Sequence, residues 1–138
     1  MYRNILVPID LAHGDLGARI LGIARTLGGP EATVTALHVL EPIPTFVAAQ
    51  LPKETVDIQW NDAREQLAKI AAAADPAAKV VVRQGAAATM ILEEAEASKA
   101  DAIVLASHRP GLRDYLLGST AARVVRHAQC SVLVDRGA

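Results

Sequence analysis

The sequence predicts an α/β protein in which a five-stranded parallel open sheet carries helices on both faces. Three observations predict it. Short apolar runs alternate with stretches of helical periodicity from end to end, and Gly, Pro or Asp-Pro punctuation separates them. The runs are continuous rather than alternating, as in strands covered on both sides. Strict β-α alternation implies right-handed crossovers, and five such strands take the doubly wound order 3-2-1-4-5. With 138 residues, a single domain over 1–138 is expected, long enough to bury a real core.

The elements follow in order. Ile5 to Ile9 is the first strand, with Pro8 at its end. Leu16, Ile20, Ile23 and Leu27 recur at helical spacing until Gly28-Gly29-Pro30 stops the helix. Thr33 to Leu40 is a β-branched second strand, closed by Glu41-Pro42-Ile43-Pro44 and followed by a loop of about ten residues. From about Lys53, Val56, Trp60, Ala63, Leu67, Ile70 and Ala74 make one stripe on a long helix ended by Asp75-Pro76, which places Trp60 in the core. Lys79 to Arg83, with charged ends, suits an edge strand. Gly85 turns the chain into a helix with Ile91, Leu92 and Ala95 inward and Glu93, Glu94 and Glu96 solvated. Ala102 to Ala106 is the fourth strand. Ser119 to Ala128 is a helix with Ala121, Val124, Val125 and Ala128 on its buried side, and Ser131 to Val134 is the last strand.

Composition excludes several classes. Fourteen Lys and Arg against fifteen Asp and Glu give a net charge of −1, so no global field holds nucleic acid. No apolar run approaches the ~20 residues of a membrane span, and MYRNILVPID lacks a signal peptide's apolar region. A soluble, cytoplasmic protein that does not insert into membranes is expected. The single Cys130 reads as a small buried hydrophobe, and the four His residues show no metal-ligand spacing. His38, within a strand, reads as a core or site-wall residue.

In a doubly wound sheet, ligands bind beyond the carboxyl ends of the strands where strand order reverses, here between the first and fourth. The segments leaving those strands are Pro8-Ile9-Asp10 and the loop ASHRPGLRDYLLGST, residues 106–120. Gly118 permits close backbone approach, and Ser119 stands as an N-cap ahead of amides 119 to 121, which can bind phosphate oxygens. His108, Arg109 and Arg113 add cationic charge that Asp114 partly offsets. A plainer reading stays open: Pro110-Gly111 is a turn and Gly118-Ser119 a helix start. Neither a P-loop G-x-x-x-x-G-K-[ST] nor a G-x-G-x-x-G occurs, and Ser107 beside His108 has no third orienting group for nucleophilic catalysis.

NILVPID at the start, HVLEP after the second strand and LLGSTAARVVRHAQCSVLV at the end resemble the universal stress protein family over essentially the whole chain. ASHRP followed by YLLGS is most similar to the small single-domain subgroup with an S-H-R-P loop. The resemblance implies a Rossmann-like fold, a role in stress adaptation, ATP or AMP as ligand with Mg²⁺ as a companion, and a homodimer formed through the last strand. It implies adenine and ribose at Pro8, Ile9, Asp10 and Val39, and phosphates at Ala106, Ser107, His108, Arg109, Gly118, Ser119 and Thr120. Nucleotide-binding members carry G-x2-G-x9-G-[ST], whereas here Ala106 and Arg109 stand at the first two glycine positions and eight residues precede Gly118-Ser119. Asp135-Arg136 also replace the usual apolar continuation of the last strand. A regulatory nucleotide-binding module is the leading expectation, with an unidentified protein partner such as a transporter. The alternatives are a slow ATPase or autophosphorylating protein, with Asp10 on Mg²⁺ and Ser119 or Thr120 accepting phosphate, and a nucleotide-free dimeric scaffold.

Overall fold

The structure is a computed structural model that describes residues 1–42, 44–107 and 117–137. Its strands are β1 (Asn4–Pro8), β2 (Thr33–Leu40), β3 (Lys79–Gln84), β4 (Ala102–Ala106) and β5 (Ser131–Asp135). All pairings are parallel and the order is β3-β2-β1-β4-β5, as the sequence predicts. Among the described residues five α-helices accompany them: α1 (Gly14–Gly28), α2 (Thr45–Ala48), α3 (Lys53–Ala74), α4 (Ala87–Ala97) and α5 (Ser119–His127).

Period-two alternation along each central strand feeds two separate cores. Ile5 and Val7 of β1, Val34 and Ala36 of β2, and Ala102 and Val104 of β4 pack on one face against Ile20, Leu21 and Ala24 of α1 and Leu67 and Ala71 of α3. Leu6, Leu37, Ile103 and Leu105 face the other way, against Ala88, Ile91 and Ala95 of α4 and Ala121 and Val124 of α5. Central strands buried on both faces therefore read as continuous apolar runs.

The differences from the sequence reading are local. The connection after β2 holds the short α2 rather than an open loop. Trp60 is half-buried and joins neither core, because α3 enters the core about two to three turns further on, through Leu67 and Ala71 with Ile70 and Ala74 packed beside them. Val125 is 44% exposed, since the nine residues of α5 present a narrow stripe of Ala121 and Val124 to the sheet. Glu93 and Glu94 do more than face solvent, lying 3.3 and 3.6 Å from the Arg83 guanidinium. β5 runs one residue further than expected, to Asp135, whose carboxylate lies 2.6 Å from Arg19 Nε on α1.

Candidate functional site

Three chain exits build one concave site. Pro8 closes β1 where a missing N–H disturbs the ladder least. Two bonds from β2 then fix the next residue: Ile9 N–H donates to the Leu37 carbonyl at 2.7 Å, and the Ile9 carbonyl lies 2.9 Å from His38 Nδ1. Asp10 Oδ1 accepts the Ala12 N–H at 2.9 Å and so caps a 3-10 turn, Leu11–His13, which leads into α1. The direction in which the chain leaves β1 is set by these local bonds.

At the end of β4, Ser107 is buried, its N–H donating to the Asp135 carbonyl at 3.0 Å. Its own carbonyl accepts the Gly118 N–H at 2.9 Å, drawing the start of α5 against the strand exit. Gly118, with φ −63° and ψ 158°, is the N-cap, with no side chain to make a cap bond, and Ser119 is the first helical residue. This corrects the expected Ser119 cap: the bond to Ser107 holds position 118 extended, so Gly118 takes the cap and the helix opens one residue earlier, at Ser119. The first intrahelical bond runs from Ala122 N–H to the Gly118 carbonyl at 2.9 Å, so the amides of residues 119–121 precede it, at the positive end of the helix.

Pro8, Ile9, Asp10, Val39, Ala106, Ser107, Gly118, Ser119 and Thr120 all line a single cavity of about 460 Å³. His108 and Arg109 lie outside the described residues. Sequence reasoning did not assign the remaining walls. Leu16, Gly17 and Ile20 of α1 supply one side, Ala87 and Ile91 of α4 the other, and His13 and Glu41 the rim. Gly17 carried a signal: a Cβ there would meet Ile9 Cγ2 at 2.5 Å, so glycine lets α1 close against the β1 exit. The cavity thus spans both faces of the sheet.

Among the described lining residues the ionisable ones are Asp10, His13, His38 and Glu41. Among the described residues, no Lys or Arg lines the cavity, and positive potential on this wall comes from the α5 amides. Beside the cavity, a hydrogen bond from Arg19 holds the Asp135 carboxyl below the usual carboxylate range, and the same contact raises the Arg19 guanidinium. Burial, with the Asp101 charge, pushes the Cys130 thiol up, which keeps it from acting as a ready nucleophile. No group of three or more His, Cys, Asp or Glu among the described residues could hold a metal ion. No helix among them is long and apolar enough to cross a membrane.

Comparison with known proteins agrees with this architecture. A protein named Universal stress protein G from Escherichia coli O157:H7 is 31% identical over 145 residues, covering 99% of this chain and all of that protein. The solved structure of a hypothetical protein, MJ0577, superposes with a TM-score of 0.78 at 24% identity, over 97% of this chain and 95% of that one. Two further structures are described as complexes. A universal stress protein with dAMP, from Archaeoglobus fulgidus, has a TM-score of 0.60 at 20% identity over 96% and 97% of the two chains. A universal stress protein with cAMP has a TM-score of 0.64 at 20% identity over 99% and 98%. The profile of the universal stress protein family matches residues 1–136, and with the strand order and the relatives in agreement, the chain belongs to that family.

Proposed function

We propose that the cavity binds an adenine nucleotide, ATP or AMP, and that the protein is a regulatory module whose partner recognition depends on occupancy. The observation that carries this reading is the meeting of the β1 exit, the end of β2 and the opening amides of α5 around one cavity. Apolar walls from α1 and α4 suit a purine, and free helix amides suit phosphate. The dAMP and cAMP complexes of the two structural relatives support the same ligand class. In this reading Pro8, Ile9, Asp10 and Val39 hold adenosine, while Ala106, Ser107, Gly118, Ser119 and Thr120, with His108 and Arg109, hold the phosphates. Asp10 has one oxygen committed to the Ala12 amide, which leaves Oδ2 for a Mg²⁺ ion accompanying the phosphates.

The module pairs with a second copy along β5, the sheet edge that carries half-buried Val132, Leu133 and Val134. A protein partner, of which a transporter is one form, reads the occupied dimer. The test is calorimetric titration with ATP and with AMP, followed by thermal unfolding. At a ligand concentration one hundred times Kd, stability rises by about 2.7 kcal/mol. No heat and no shift in Tm with either nucleotide would overturn the reading.

A further inference from the structure

His38 is the one ionisable residue of β2, a β-branched and largely apolar inner strand, and is half-buried as part of the cavity wall. Its Nδ1 lies 2.9 Å from the Ile9 carbonyl. A carbonyl oxygen can only accept, so Nδ1 carries the proton and, in the neutral ring, Nε2 is left with a lone pair. The bond to Ile9 does more than hold the β1 exit, because it fixes which tautomer the cavity meets.

The second nitrogen sits on the opposite edge of the ring. No hydrogen bond among the described residues uses Nε2. No buried side-chain nitrogen or oxygen among them lacks a partner, so Nε2 is reached by solvent. For a wall residue on an inner strand, that solvent is the content of the cavity. The wall therefore presents a polarised acceptor among apolar neighbours, next to Val39 and across from the β1 exit.

We propose that His38 is a specificity-determining residue whose Nε2 accepts a hydrogen bond from the adenosine half of the ligand. The inference rests on the nucleotide reading above. The donor is an N–H or O–H of adenosine, with the purine 6-amino group and the ribose hydroxyls as its two sources. A ligand that brings a second acceptor to this point leaves two lone pairs facing each other with water excluded, and it is rejected.

The test is a cycle of ligand and residue changes read by calorimetry at about pH 8. Wild type and His38→Phe are each titrated with ATP, ITP, 2′-deoxy-ATP and 3′-deoxy-ATP. ITP replaces the 6-amino group by an oxygen, and the deoxy forms each remove one hydroxyl. We expect His38→Phe to weaken ATP binding about tenfold. One of the three analogues then shows a similar loss on wild type and little further loss on the variant, which identifies the donor. Equal ATP affinity in wild type and variant, or losses that simply add for every analogue, would overturn the inference while leaving the nucleotide site standing.

Because His38→Phe also removes the bond to Ile9, a second measurement on the wild type guards against a folding defect. The ¹⁵N resonance of His38 Nε2 moves upfield when ATP is added if that nitrogen accepts a hydrogen bond, and an unmoved resonance in a saturated sample refutes it. Failure of every nucleotide to bind the wild type would overturn both this inference and the reading beneath it.

Discussion

Asp75, at the end of α3, is 5% exposed, and its carboxylate is held by Arg25 from α1, with Nε at 3.0 Å and Nη2 at 2.9 Å. Arg25 also donates through Nη1 to the carbonyls of Gly29 at 2.9 Å and Ala32 at 2.8 Å, so one guanidinium ties a helix end, a turn and a buried acid together. Removing it strands a buried charge. Arg25→Met is expected to lower unfolding stability by about 3 kcal/mol in urea titrations, more than the loss of an exposed pair would cost. From the sequence, Asp75 read as a helix stop beside Pro76, which is correct for the backbone but silent about its partner 50 residues away. The same limit applies at the site. His38 stood out as a polar residue in an apolar run, yet the carbonyl that fixes its tautomer comes from another strand. The shift of the cap from Ser119 to Gly118 likewise depends on a bond to Ser107, eleven positions earlier.

Elements were more legible than the contacts between them. Every strand was placed, because runs such as TVTALHVL carry burial on both faces in their composition. The short α2 in the Pro-rich stretch was not, since four residues offer too little periodicity to read and its Phe46 is 73% exposed. β5 was read to Val134 because charge at Asp135 looked like the end of a strand, whereas Arg19 neutralises it and lets the ladder continue. That pair has a pH signature. The hydrogen bond from Arg19 lowers the folded-state pKa of Asp135, so its contribution is present above the unfolded value and lost as pH falls through the folded one. Asp135→Asn is therefore expected to lower stability near neutrality and to change little well below about pH 4, so the acid limb of the variant's profile is flatter. Chemical unfolding midpoints across that range provide the check, and parallel profiles for both proteins would contradict it.

For the whole molecule, the two-core arrangement predicts an order of local stabilities. β1 and β4, covered on both faces by separate helix pairs, should hold the slowest-exchanging amides, and residues 45–51, with few buried contacts, the fastest. Hydrogen exchange followed by mass spectrometry measures this directly, and rapid exchange in β4 would refute it. The position of the cavity was legible because the strand order alone fixes where the topology reverses, while its width was not, because Gly17, Ile20 and Ile91 line it for reasons of helix packing. The bonds from Ser107 to Asp135 and to Gly118 clasp the two feet of the β4–α5 connection to the sheet, independently of the ten residues between them. Both clasps are made by main-chain groups, so a change of side chain at either foot leaves the foundations of the hollow where they are.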